Sequence, residues 1–353
     1  MKNKEILKTK INVLKAHEGD SIIIETYDIE KNKYIILIDG GPRQTFKTTL
    51  VKELDKYQRI DLLILTHIDN DHIAGLIQYL SSSHADKHSF GKLLINAPNL
   101  LKCNDNGTQI SISEGIEFEK IINKKYPNLE IIGKITSEIE LKLNLPEGID
   151  IKILSPNQAA LDELIKNWRE IDFNKEENTQ LSSTELKAKD FDKSFKKLAE
   201  KTTSEKKISR DFANASSIAF SIKTIDFHGL FLGDSHSSIV TESIKNKYKD
   251  NLPVKFDYVK ISHHGSKHNT SNNFLDTIEC NKFIISTNGG KGRAKHPDRQ
   301  TLAKIVSHKN MQKEKVQFFF NYPLSKIEEK TGKLFKDEEL KFFEYYEINE
   351  ITT

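Results

Sequence analysis

Residues 66–75 read Thr66-His67-Ile68-Asp69-Asn70-Asp71-His72-Ile73-Ala74-Gly75, which places two imidazoles and two carboxylates within six residues. Imidazole is a borderline ligand and carboxylate a hard one, a mixture that suits Zn²⁺, Mn²⁺ or Fe better than Ca²⁺ alone. The plain alternative is a polar loop in which Asp71 and Asn70 cap a helix over 73–80. That alternative accounts for those two residues and leaves two histidines five apart unexplained.

The elements around this run suggest how it is positioned. The apolar stretch Leu62-Leu63-Ile64-Leu65 just before it reads as a buried strand. Three further clusters also follow strand-like stretches. Gly233-Asp234 comes after 229–232, and Ser262-His263-His264-Gly265-Ser266 comes after 258–261. His296-Pro297 comes after the strand at 282–286 and the glycine cluster Gly289-Gly290-Lys291-Gly292. Asp or His recurring at strand ends implies side chains converging on one rim, although a turn role for Asp234 and structural roles for His263 and His296 stay open for each alone. Further strands are predicted over 11–14, 21–27, 34–38, 92–95, 138–143, 149–154, 217–222, 316–320 and 342–348, with helices over 48–57 and 114–126. Asp39-Gly40-Gly41-Pro42 is a tight-turn signature. Strands interleaved with helices in two comparable halves predict a layered α/β fold. Neither GxGxxG nor GxxxxGK[ST] occurs, so no phosphate loop is expected. Residues 158–210 turn rich in Lys, Glu, Ser and Thr, and are read as a charged helical or mobile insertion; a lid or basic arm is the functional reading.

In this order, the HxDxDH run, the strand–Gly–Asp, the strand–His–His–Gly–Ser and the later His–Pro resemble the metallo-β-lactamase fold. Within it they resemble the soluble C-terminal hydrolase domain of ComEC-type DNA-uptake proteins. Ala16-His17-Glu18-Gly19-Asp20-Ser21, Ile38-Asp39-Gly40-Gly41-Pro42 and Leu154-Ser155-Pro156 match further segments of that family, so the resemblance runs from about 10 to 310. It implies a four-layer αββα sandwich: two mixed β-sheets packed face to face with helices outside. The expected organisation is one domain over 1–353 with a strand-containing extension at about 310–353. It also implies two divalent ions, Zn²⁺ or Mn²⁺ with Mg²⁺ as a further candidate. His67 and Asp69 would hold the first and Asp71, His72 and His264 the second, with Asp234 between them. Asp71, His263 and His296 would act on the substrate. Two departures matter: many family members have His at the place of Asp69, and Asn214 stands where a ligand His is usual. Oxygen in place of imidazole shifts preference from Zn²⁺ towards Mn²⁺ or Mg²⁺. Asn214, Ser266, Lys267 and Lys295 are the candidate substrate contacts.

The expected chemistry is metal-dependent phosphodiester hydrolysis, most plausibly of DNA. The alternatives are a small phosphodiester such as a cyclic nucleotide or phosphocholine ester, and a non-catalytic partner-binding subunit. With 54 basic against 51 acidic residues the net charge is only +3, so a polyanion must be met by a local patch. Lys267, His268, Lys291, Arg293, Lys295 and Arg299 are the candidates. Cys103 and Cys280 have no CxxC spacing and suggest a reduced compartment. No apolar N-terminal segment and no 18-residue apolar run appear, so a cytoplasmic protein without membrane spans is expected. Lacking a channel domain, the chain is further expected to act as an effector against foreign DNA, antiviral or anti-plasmid, beside a partner ATPase.

Overall fold

The computed structural model describes residues 7–97, 114–168, 190–292, 294–311 and 313–353. Two seven-stranded sheets form its centre. The first runs β16 (Glu350–Thr352), β1 (Lys10–Val13), β2 (Ile22–Tyr27), β3 (Lys33–Ile38), β4 (Arg59–Ile64), β5 (Ser89–Leu94), β6 (Glu130–Ile132). The second runs β15 (Phe343–Glu347), β14 (Val316–Phe320), β13 (Lys282–Ile285), β11 (Tyr258–Lys260), β9 (His228–Phe231), β8 (Ala219–Lys223), β7 (Asp150–Ser155). A short parallel pair, β10 (Val254–Lys255) with β12 (Ile278–Glu279), stands apart. Each sheet begins with antiparallel strands and continues with parallel ones: β3, β4, β5 and β6 in the first, β9, β11, β13, β14 and β15 in the second.

The side-chain period of two sorts each strand between layers. In β3, Tyr34, Ile36 and Ile38 enter the apolar layer between the sheets, where they meet Phe220, Phe231 and Phe319. The alternating Ile35 and Leu37 face outward against Ile73, Ile77, Phe118 and Leu161 of the covering helices. In β14 the middle one of the three phenylalanines, Phe319, faces the other sheet while Phe318 and Phe320 face Leu302 and Ile305 of the opposite helical layer. Three apolar layers between four structural ones make this the αββα sandwich expected from the motifs. Among the described residues, no helix is long and apolar enough to cross a membrane.

Local departures have physical reasons. The strands expected at 138–143 do not form. Leu143 packs into the layer between the sheets with Leu141 against it, yet the segment runs beyond the edge strand β6 without a ladder partner. The helix expected from 48 begins earlier, directly after Pro42, as Arg43–Thr45, the π-turn Phe46–Leu50 and Val51–Leu54. Of the charged segment at 158–210, Gln158–Asn167 is a helix with Ala160, Leu161 and Leu164 buried. Residues 169–189, and with them part of that reading, lie outside the described residues, as does Cys103. From 190 onward the chain is strapped down. The Arg299 guanidinium lies over the rings of Phe191 and Phe195, donates to the carbonyls of Lys193 and Leu334, and pairs with Glu339 at 2.8 Å. Further on, Thr203 Oγ1 donates to the carbonyl of Thr270, and Glu205 accepts from Ser237 and Ser238.

Candidate metal centre

The parallel strands all end on one rim, and the polar clusters sit in the loops that leave it, the crevice where open α/β sheets place ligands. After β4 come His67 and, at the start of the Asn70–Ser81 helix, Asp71 and His72. Asp234 follows β9, and His263 and His264 follow β11. Asp69 stands at the N-cap of that helix without a side-chain cap bond, so capping does not explain the run. The backbone is held by close approaches. Gly75 takes its N–H to the carbonyl of Gly41, and a Cβ there would lie 2.0 Å from the carbonyl oxygen of Gly40. His263 and His264 both have left-handed backbone, φ 48° and 53°, costing about 1–3 kcal/mol each. This turn directs two adjacent imidazoles into the same crevice.

Ligand-type atoms of six residues converge there. His67 Nε2 and His72 Nε2 lie 3.9 and 3.6 Å from the Asp234 carboxylate, and His264 Nε2 lies 3.8 Å from it and 3.4 Å from Asp71 Oδ2. Asp69 Oδ2 is 3.7 Å from His67 Nε2. His67, His72 and Asp234 form one group able to hold a cation; Asp71, His72 and His264 form another. Buried polar atoms are ordinarily hydrogen-bonded. Yet Nε2 of His67, His72 and His264 and Oδ1 of Asp234 are all buried without a hydrogen-bond partner. Orphaned donor atoms of this type, grouped at these distances, fit divalent cations.

The atoms behind them fix the tautomers. His72 Nδ1 meets Asp39 Oδ2 at 2.7 Å, and His264 Nδ1 meets the carbonyl of Ser286 at 2.9 Å. A carboxylate and a carbonyl can only accept, so both Nδ1 atoms carry hydrogen and Nε2 of each ring is the atom from which a cation would displace a proton. Thr66 Oγ1 donates to Asp39 Oδ2 at 2.7 Å, which leaves its oxygen to accept from His67 Nδ1 at 3.1 Å. Asp39 also receives the Thr66 N–H at 2.7 Å. Asp20, fully buried, pairs with the buried Lys260 ammonium and puts its other oxygen 3.5 Å from His264 Nδ1. Burial alone would raise the Asp71 carboxyl, but His72 and His264 outweigh it and hold the pKa down at about 2. Burial opposes a charge on His264, yet the carboxylates of Asp234 and Asp20 lift it to about 10. Without cations, protons on imidazoles balance this cluster of carboxylates, the charge pattern a bound metal would replace.

His263 faces the mouth, its Nε2 3.7 Å from Asp234 Oδ2, and burial pushes its pKa down to about 3. Its ring meets that of His296 edge-on, centroids 5.2 Å apart, and His296 Nδ1 lies 3.4 Å from Asp298 Oδ2. Asp298 also accepts the Lys267 N–H at 3.0 Å. Ser266 is buried beside that turn, while Lys267 and Lys295 are half-buried near it. Arg299, counted with the basic rim from sequence, does not belong there, because its guanidinium is buried in the pair with Glu339. His268 is tied to the carbonyl of Ser204 at 2.6 Å; Arg293 lies outside the described residues. Asn214 is buried on the short Phe212–Ala215 helix and donates to Asp211 Oδ1 at 3.0 Å. The sequence motifs did not single out Lys260, Asp211, His236 or Asp298. Lys260 left one signal, a charged residue inside the apolar strand Tyr258-Val259-Lys260-Ile261.

Residues 19–151 match the family model described as the metallo-beta-lactamase superfamily. The match spans β2 to the start of β7 and contains Asp20, Asp39 and 67–72; over these residues the chain is similar to that superfamily, and its two packed mixed sheets with outer helices are consistent with the metallo-β-lactamase fold. No curated protein matches the chain in sequence. Among solved structures it is similar to a long-form RNase Z from yeast, with 12% identity and TM-score 0.41 over 81% of this chain and 38% of that one. It is also similar to a diphosphatase of the PhnP family, with 12% identity and TM-score 0.41 over 98% and 97%. A third is Zn²⁺-bound PqqB from Methylobacterium extorquens, with 9% identity and TM-score 0.42 over 97% and 99%. The chain spans 38% of the length of the yeast enzyme.

Proposed function

We propose that the protein is a metal-dependent hydrolase of phosphodiesters, with DNA as its substrate. The observation that carries this reading is the convergence of three partnerless Nε2 atoms on the Asp234 carboxylate, whose Oδ1 is partnerless as well. Two divalent ions bound there would supply Lewis acidity and an activated water for in-line displacement at phosphorus. The chain's own residues do the rest. Asp39, Thr66 and the Ser286 carbonyl hold the imidazoles in the ligating tautomer. Asp71, ionised and 3.4 Å from His264, orients the attacking water and takes up its proton. His263 and His296 stand at the mouth, where an N–H can be given to a phosphoryl oxygen or to the departing oxygen. Lys267 and Lys295 beside them supply the positive charge that a phosphate backbone needs.

The test is cleavage of single- and double-stranded DNA by the purified protein with Mn²⁺, Mg²⁺ or Zn²⁺, beside an Asp71→Ala/His72→Ala variant. Metal-dependent cleavage absent from the variant is the expected result. Cleavage of bis(p-nitrophenyl) phosphate with intact DNA would replace DNA by a small phosphodiester, and inertness towards both with two ions bound would overturn the reading.

A further inference from the structure

The proposed reaction uses neither Lys260 nor Asp20, yet both are almost wholly buried beside the ligands. They come from different sheets. Lys260 ends β11, where the side-chain period of two turns it, like Tyr258, towards the layer between the sheets. Asp20 stands just before β2. Their ion pair crosses that layer, and the ligands are divided in the same way. His67, Asp69, Asp71 and His72 follow β4 of the first sheet, whereas Asp234 and His264 follow β9 and β11 of the second. The ammonium is fixed in place, because it also donates to the carbonyl of Gly233 at 3.3 Å, next to Asp234. Asp20 is fixed as well, its N–H going to the carbonyl of Asp71 at 3.3 Å.

Asp20 is placed as a metal ligand would be. Its Oδ1 has no hydrogen-bond partner and lies 3.5 Å from His264 Nδ1, whose hydrogen goes to the Ser286 carbonyl. Ligand-type atoms of Asp20, Asp234 and His264 all fall within 4.8 Å of one another, and so do those of Asp20, Asp39 and His72. The other Asp20 oxygen is held by the Lys260 ammonium. Burial alone would raise the Asp20 carboxyl, but Lys260 and His264 outweigh it and keep its pKa below the ordinary value. We infer that the Lys260 ammonium is a resident cation of the centre, which holds Asp20 off the metals and limits them to two. Lys260 thus acts through Asp20, as a positioning residue. Removing either partner leaves a buried charge uncompensated, and the two charges act on metals with opposite sign. A released Asp20 attracts a further cation, whereas an unpaired ammonium repels the cations beside it. A pair that served only to join the sheets would weaken metal binding alike, whichever partner were lost. The inference rests on the reading of the cluster as a metal centre, and not on the identity of the substrate.

The experiment is titration of the metal-free protein with Mn²⁺ and with Zn²⁺, read by calorimetry, with the ions retained after desalting counted by elemental analysis. The wild type is expected to hold two ions and Lys260→Met a third, bound through the released Asp20. Asp20→Asn is expected to bind metal about tenfold more weakly, and Lys260→Met/Asp20→Asn to return to two ions with affinity close to wild type. Melting temperatures of the metal-free variants control for folding. Two ions held by Lys260→Met with wild-type affinity, or both single variants weakened alike, would overturn the assignment alone. A wild type that binds no metal would overturn the centre with it. Should one single variant fail to fold, the other decides, and wild-type metal binding in it overturns the assignment.

Discussion

At the scale of single residues the centre is built by opposing costs. His263 and His264 keep a left-handed backbone that glycine would adopt freely, and His263 Nδ1 is buried without a partner. Replacement of His263 by glycine is therefore expected to raise stability by about 1 kcal/mol while lowering cleavage, seen as a higher melting temperature beside a lower rate. A rate equal to wild type would remove His263 from the reaction. The opposite sign is expected at Asp39. Asp39→Asn can present an NH₂ to His72 Nδ1 and unsettle the tautomer, so metal affinity should fall about 10–100-fold, measurable by competition with a chelator. The residues that carry ligands were legible from the sequence because 67–72 crowds four of them together. Asp39, Asp20 and Lys260 were not assigned a role, because one partner sits up to 240 residues from the other and only the packed sheets bring them together.

At the scale of elements, the extended and apolar patterns were read to within a residue or two for strands buried on both faces such as β3 and β13, whereas the strand before His67 begins three residues earlier than its apolar run. The failure at 138–143 has a clear origin: alternation reports which side chains are buried, not whether a neighbouring strand offers a ladder. Arg299 gives the converse lesson. Its neighbours Lys295 and His296 suggested a basic rim, yet a guanidinium between two phenylalanine rings and opposite Glu339 is a clamp between the strap and the C-terminal region. Removing one partner of a buried pair leaves an unpaired charge. Arg299→Met is thus expected to destabilise by about 3–5 kcal/mol, and Arg299→Met/Glu339→Leu to recover much of that loss, as read from denaturant midpoints. A double variant as unstable as the single would show that the rings, and not the ion pair, are the clamp.

At the scale of the whole molecule, the last strands close both sheets. β15 pairs with β14 in the second sheet, and β16 pairs with β1 in the first. Asp226 secures the seam, accepting from Thr9 N–H and Oγ1 at 2.8 and 2.7 Å and from Thr353 Oγ1 at 2.7 Å. Burial works to raise the Asp226 carboxyl, but these hydrogen bonds outweigh it and hold its pKa below the ordinary value. A depressed carboxyl contributes stability above its unfolded pKa, and that contribution disappears as pH falls through the folded value. Asp226→Asn is therefore expected to melt lower than wild type near neutrality, with the gap closing in acid as the depressed Asp226 carboxyl takes up its proton. A gap independent of pH would sink this account.

That seam also sets a timetable. The ligand loops lie between residues 67 and 264, but β1, which precedes them in the chain, pairs on its outer side with residues 350–352, which follow them. A nascent chain on the ribosome thus carries every ligand of the centre while still exposing the open edge of β1, the kind of edge that recruits other chains. For this molecule the hazardous interval of synthesis falls after the metal ligands have emerged and before the closing strand is free to pair.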